Sequence, residues 1–261
     1  MTDPTAPQAA PVTITVITAV YDAESTVAEA IGSVARQTWP HLEHLVIEGL
    51  SRDASLAAIR AAAHPRMTLV SEADRGLYDA LNKGIARAGG DVIGFVHADD
   101  FLASDDVLAQ VAAAFADPAV EAVFGDLDYV AQDDTARIVR RWSTGAFDPA
   151  RLRRGWMPAH PTLYLRRGVY DRIGGFDTGF GIAADYDLIL RHFSTTTPAR
   201  TLHLPRVLYK MRLGGVSNRD WRRIRQKMTE DWRAIRGNRV GGPLTLILKN
   251  LSKIGQFFGR R

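Results

Sequence analysis

The segment Val12 to Val20, VTITVITAV, is β-branched and apolar at almost every position and has no polar face to turn to water. A strand of that kind is stable only when it is covered on both sides, as in a parallel sheet flanked by helices. The fold class follows: α/β, with a mostly parallel central sheet between helices. The next hundred residues keep the alternation. Helical periodicity covers Ser25 to Arg36, Ala54 to Ala63, Gly76 to Ala88 and Asp105 to Ala116, with strands at Leu45 to Glu48, Met67 to Ser71, Asp91 to Val96 and Val120 to Gly125. Asp126 to Trp142 alternates like a hairpin. Beyond it lie a strand near Thr162 to Leu165, a helix over Asp185 to Phe193, an extended run over Arg200 to Tyr209 and a basic helix over Trp221 to Arg236.

A chain of 261 residues is long enough to bury a full core, and neither a repeat nor a Gly/Ser linker divides it. The expectation is a flexible start over 1–11, one domain over 12–218 and a basic, helical C-terminal appendage over 219–261. The absence of cysteine rules out disulfides, a thiolate nucleophile and Cys-ligated zinc. No apolar run reaches the ~20 residues of a membrane span, and the first 11 residues lack the apolar core of a signal peptide. A soluble, unprocessed, cytoplasmic protein is expected.

Charge is distributed unevenly. Residues 201–261 hold 15 Lys and Arg against 3 Asp and Glu, a balance of +12, so within the total of +4 the first 200 residues carry −8. A basic segment of this kind suits an anionic membrane surface, a phosphorylated substrate or nucleic acid, and the plain alternative is a solvated helix face.

Asp99 and Asp100 end the apolar strand Asp91 to Val96, at the edge of an open α/β sheet where ligands bind. Two adjacent acids repel unless a cation neutralises them. Their hard oxygens favour Mg²⁺ or Mn²⁺, whose coordination a nucleotide's phosphates complete. The structural alternative is a helix N-cap, although Asp105 and Asp106 already stand before the following helix.

With these residues in view, the chain resembles the family 2 glycosyltransferases, inverting nucleotide-sugar enzymes of the GT-A fold. The resemblance is carried, in order, by TVITAVYDAESTVAEAIGSVARQTWPHLEHLVIEG, SEADRGLYDALNKGIARAGGDVIGFVHADD, MPAHPTLYLRR, GGFDTGFGIAADYDLILR and KMRLGGVS, over about residues 12 to 217. It implies a nucleotide-sugar binding half over 12–100 and an acceptor half over 101–218. By the same resemblance, Thr18, Val20 and Tyr21 border the uridine pocket, and Glu48 stands where the family usually has Asp. Asp74 lies near base or ribose and Arg75 on the diphosphate side. Asp99 and Asp100 form the metal motif, with Asp100 the expected direct ligand. Asp185 is the catalytic base, and His160 neighbours acceptor or diphosphate. One departure stands out: Glu48-Gly49-Leu50-Ser51-Arg52-Asp53 replaces the usual Asp-Gly-Gly-Ser-Thr-Asp, so a Gly has become Leu50.

The chemistry implied needs a leaving diphosphate with stabilised charge and a hydroxyl that loses its proton as it attacks. A divalent ion at the acidic pair supplies the first, and a base opposite the departing group the second. For Asp185 the competing reading is a helix N-cap. Arg212, just before Gly214-Gly215-Val216-Ser217, is a candidate phosphate partner or an exposed cation. Trp156 and Tyr164 are candidates for stacking on an acceptor sugar or, equally in keeping with their type, core residues.

The chain closes with PLTLILKNLSKIGQFFGRR, which places Leu244, Ile247, Leu248, Leu251, Ile254 and Phe258 on one helical face and Lys249 and Lys253 on another. Such a helix either lies on an anionic membrane, on the inner face of the plasma membrane, or packs on its own domain or on a second copy to form a homodimer. The leading reading is a metal-dependent inverting transferase that moves a sugar, expected from a UDP-sugar, to a saccharide or lipid-linked acceptor in polysaccharide or glycolipid assembly. Nucleic acid is not an expected partner. The alternatives are a noncatalytic nucleotide-sugar binder, a nucleic-acid binder using the basic segment, and a nucleotidyltransferase, which would want a Gly-rich phosphate loop that TAVYDAEST lacks.

Overall fold

A computed structural model describes residues 10–213 and 221–255. Gly214 to Ser217, most of the flexible start, and the side chains of Lys253, Ile254 and Phe258 lie outside the described residues. In chain order the elements are β1 (Ile14–Val20), α1 (Val27–Ala35), β2 (Leu42–Glu48), α2 (Ser55–Ala61), β3 (Met67–Ser71), α3 (Leu77–Arg87), β4 (Val92–Phe95), β5 (Phe101–Leu102) and α4 (Val107–Ala114). They continue with β6 (Ala122–Val130), β7 (Ile138–Trp142), α5 (Pro149–Leu152), β8 (Tyr164–Arg166), α6 (Arg167–Ile173), α7 (Ala184–Phe193), β9 (Thr201–Arg212), α8 (Trp221–Gly237) and α9 (Pro243–Gly255).

The strands form one sheet in the order β3-β2-β1-β4-β8-β6-β9-β5, with β7 paired to β6. All seven residues of β1 are buried, as its uniform composition requires. The first four strands are parallel, Thr18 opposite Val46 and Ile17 opposite Phe95. Beyond β4 the sheet is mixed: β8 runs antiparallel to both β4 and β6, β6 and β7 make the hairpin anticipated from their alternation, and β9 returns parallel to β6. β5 and α6 had no legible signal, since two residues carry no period and α6 is a single short helix.

Packing explains several sequence choices. In α1 the buried Val27, Ala30, Ile31 and Val34 make one stripe at i, i+3, i+4 and i+7. In α3, Gly84 sits so close to β1 that a Cβ there would lie 2.5 Å from the Ile17 side chain. The layers enclose a main core on one side of the sheet, which includes Ala234 and Ile235 of α8, and a second around Val16, Val92, Val111 and Tyr209. α8 is thus built into the domain that was expected to end at residue 218.

Candidate active site

The C-terminal ends of β1, β2, β3 and β4 open on one edge of the sheet. The loops there are built with unusual backbone. Leu50 is held at φ 60° and Asp22 at φ 48°, in the left-handed region that disfavours a Leu by about 1–2 kcal/mol. Leu50 thus keeps the conformation that a glycine would take more readily, with its side chain exposed. Gly49 beside it leaves no room for a side chain: a Cβ would collide with the Asp74 carboxylate and lie 3.5 Å from the Tyr21 ring. Tyr21, Gly49 and Asp74 therefore meet at the ends of β1, β2 and β3. Asp74 is fixed by accepting the Gly76 N–H at 2.8 Å.

The other residues expected at this pocket behave differently. Thr18 and Val20 are buried, Thr18 bonded through its hydroxyl to the His44 ring at 3.0 Å, because every β1 side chain is inside; neither presents a side chain to a nucleoside. Glu48 is also buried. One of its oxygens accepts the Ser51 N–H and the other the Ser71 hydroxyl, each at 2.5 Å. Burial raises its pKa, and these bonds outweigh burial and leave it below the usual carboxylate value. Glu48 braces the β2–α2 loop from within. Arg75 is exposed and paired with Asp79 at 3.0 Å.

The acidic turn after β4 sets its two carboxylates in different surroundings. Asp99 is exposed, whereas Asp100 is 2% exposed, with Oδ1 accepting the Arg212 N–H at 2.9 Å and Oδ2 the Tyr209 hydroxyl at 3.4 Å. Burial, and then the neighbouring Asp99, push the Asp100 pKa well above the ordinary range. Arg212 is not a spare cation: its guanidinium donates to the Asp99 carbonyl and pairs with Glu29 of α1. The end of β9, pairing with β5 through Phe101–Lys210 and Leu102–Tyr209, thereby clamps the acidic turn. Among the described residues no group of three or more His, Asp or Glu forms a closed metal cage. One open carboxylate with a second behind it fits Mg²⁺ or Mn²⁺, ions that keep waters and substrate phosphates as ligands.

Across the cleft, α7 brings Asp185. The N-cap of α7 is Ala183, so the capping alternative fails in its simple form, although Asp185 Oδ1 does accept the next amide, Tyr186 N–H, at 2.7 Å. The chain leading into α7 is held from elsewhere. Glu230 of α8 accepts the N–H groups of Gly181, Ile182 and Ala183 at 2.8–3.1 Å, and the Tyr78 hydroxyl donates to Ile182 O at 2.6 Å. Asn82, one turn along α3, donates to Phe176 O and accepts Phe176 N–H, both at 2.8 Å. The GLYDALNKG helix of the donor side thus fixes the loop that carries Asp185.

The rings of His97, in the acidic turn, and His160 stand with centroids 6.0 Å apart. Burial lowers the His97 pKa, while Asp99 and Asp185 both oppose that shift. Burial lowers His160 to about 4, with Asp185 opposing and His97 adding to the shift. One imidazole therefore feels carboxylates from both β4 and α7. His160 is buried against Phe95 and Phe176, and neither ring nitrogen has a hydrogen-bond partner among the described residues. Trp156 and Tyr164 are core residues: Trp156 donates to Thr144 O at 2.9 Å amid Phe124, Phe147 and Phe193, and Tyr164 is 1% exposed beneath Gly94. Neither offers a face to a sugar. His97, Tyr209, Glu29 and Glu230 went unrecognised in the sequence, because their partners lie up to 183 positions away.

Residues 15–178 match the profile of glycosyl transferase family 2. A PGL/p-HBAD biosynthesis glycosyltransferase of Mycobacterium bovis is 32% identical over 197 residues, 72% of each chain. The O-antigen biosynthesis protein RfbC of Myxococcus xanthus is 32% identical over 78% of this chain but only 16% of its own. Among solved structures, a mannosyltransferase from Pyrobaculum calidifontis in complex with GDP-Man and Mn²⁺ superposes with a TM-score of 0.65 at 20% identity, over 97% of this chain and 77% of that one. TarS from S. aureus in complex with UDP-GlcNAc gives 0.63 at 17% identity, over 87% and 65%. The structural likenesses carry the GT-A fold. The matched profile, spanning both the acidic turn and the helix that steadies the Asp185 loop, places the chain in glycosyl transferase family 2, and the protein is a glycosyltransferase.

Proposed function

We propose that the protein transfers a sugar from a nucleoside diphosphate donor to a hydroxyl group with inversion, in glycolipid or polysaccharide assembly. The observation that carries this reading is the tie between the two halves: Tyr78 and Asn82 of α3 bond the chain that leads into α7 and Asp185, while Asp99 stands exposed at the end of β4. The nucleoside sits at Tyr21, Gly49 and Asp74, and UDP-sugars are the first donors to test. Asp99, with Asp100 behind it, would hold a divalent ion, which supplies charge stabilisation for the diphosphate. The named partners of the solved neighbours, GDP-Man with Mn²⁺ and UDP-GlcNAc, support this donor class.

Asp185 takes the proton of the attacking hydroxyl from the side opposite the diphosphate. A single displacement in that geometry inverts the anomeric centre. Glu230 and Tyr78 hold the approach to α7, which keeps the base at a fixed distance from the donor. His160, neutral at physiological pH and buried against Phe95 and Phe176, would support His97 from beneath the acceptor side without adding charge. The names of the relatives, PGL/p-HBAD and O-antigen biosynthesis, support a lipid-linked or saccharide acceptor.

The test is a panel of UDP-, GDP- and TDP-sugars with Mn²⁺, followed by calorimetry for binding and nucleotide release for turnover. Asp185→Asn should keep donor binding while turnover falls by about 10²–10⁴. Asp99→Asn should weaken Mn²⁺-dependent donor binding itself. Wild-type turnover in Asp185→Asn, or no binding of any donor by the wild type, would overturn the reading.

A further inference from the structure

The last helix is inside out relative to its composition. In α9 the buried positions are Thr245 and Lys249, 3% and 2% exposed, while Leu244, Ile247 and Leu251 are 64%, 54% and 52% exposed. Spaced i, i+3 and i+7, the three apolar residues share one face. Lys249, on another helical face from these residues, points into the protein: its ammonium lies 2.6 Å from Asp231 Oδ1 of α8 and 3.3 Å from the centroid of the Tyr186 ring.

The helix cannot turn its apolar residues inward. Thr245 donates to Arg153 O at 2.8 Å, and Gly155 packs so tightly that a Cβ would lie 2.5 Å from the Lys249 Cα. Rotation would break a buried ion pair and leave Asp231, 1% exposed, with Lys227 alone.

We propose that this face of α9 docks the enzyme onto an anionic lipid leaflet. Isolated exposed apolar residues need no partner, but a locked apolar face does. Charge selects the occupant. The helix on which α9 packs, α8, exposes Arg222, Arg223, Arg225 and Arg236, with Arg239 exposed just after it, so a second copy applied here would bring like charges together, whereas anionic headgroups complement them. Among the described residues no helix is long and apolar enough to cross a membrane, and a helix of 13 residues with one apolar face lies in the headgroup plane. Vesicle binding is read without turnover, so this inference and the donor reading fail independently.

The experiment uses the full chain with vesicles of phosphatidylglycerol and phosphatidylcholine, and with phosphatidylcholine alone, in co-sedimentation. Binding should require phosphatidylglycerol and weaken as salt rises. The triple variant Leu244→Ser, Ile247→Ser, Leu251→Ser should bind at least about tenfold less while keeping the wild-type circular dichroism, since all three side chains are exposed. Because the chain has no cysteine, Ile247→Cys accepts a single environment-sensitive dye, whose emission should shift to the blue on anionic vesicles. Three results would overturn the proposal: no wild-type binding to anionic vesicles, undiminished binding by the triple variant, or a wild-type dimer in sedimentation velocity that the triple variant dissociates. The last would identify a second copy as the occupant.

Discussion

At the scale of single residues, the donor pocket depends on space as much as on functional groups. Gly49 is present because Tyr21 and Asp74 close over it. Gly49→Ala should therefore displace the Asp74 carboxylate and lower nucleotide affinity by about tenfold, roughly the value of one lost polar contact. Asp74 is half-buried and its bond to the Gly76 N–H is the contact at stake, so the melting temperature should fall only slightly; calorimetric titration alongside a thermal melt separates the two effects. Leu50 shows the opposite case. The departure from Gly is plain in the sequence, yet only its φ of 60° reveals that the loop kept the glycine-like conformation and exposed a Leu beside the pocket. The two adjacent acids were legible as a pair. Which of them meets solvent was not, because Tyr209 and Arg212, more than a hundred positions away, occupy Asp100.

Among the elements, α8 links the basic C-terminal segment to the chemistry. Its Glu230 grips the chain entering α7, and Asn238, just after it, donates to Asp187 at 2.9 Å, two residues along α7 from the carboxylate assigned as base. α9 in turn is joined to α8 through Lys249 and Asp231. Lys249→Met should destabilise the protein by about 3 kcal/mol, the lower end of the cost of removing one member of a buried pair, because Lys227 still faces Asp231. Urea denaturation measures this, and adding Asp231→Leu should recover part of the loss. A null result for Lys249→Met would mean that the pair does not hold the helix. Periodicity identified α9 as amphipathic. It could not say which face turns inward, since the choice was made by an acid on another helix and by the Tyr186 ring.

Over the whole molecule, buried imidazoles set the response to acid. Burial lowers His44 to about 3, with His64 and Arg66 adding to the shift, and lowers His160 and His192 to about 4. A group with a depressed folded pKa contributes its full stability above its unfolded value of ~6.5, and loses it as pH falls through the folded value. Stability should thus decline from about pH 6.5 to pH 4, by up to about 1.4 kcal/mol per group for each pH unit. Asp100, raised by burial, acts in the opposite sense, against these three and against His64 and His97, which burial also lowers. Melting temperatures recorded across this range should show the decline, and His192→Leu, which removes a buried ring whose nitrogens have no hydrogen-bond partner among the described residues, should flatten it. An unchanged slope would remove His192 from the account.

The strand–helix alternation, the two-sided burial of β1 and the order of the family motifs were written locally, in periods of two and 3.6 residues and in short runs of chemistry, and so the fold and the family could be read from the chain. The exposure of Asp99, the commitment of Arg212 to Glu29, the burial of Trp156 and Tyr164 and the outward face of α9 each depend on a partner brought close only by the folded chain. Burial and pairing are properties of position in space, and a side chain's type leaves them open until the rest of the molecule has arrived.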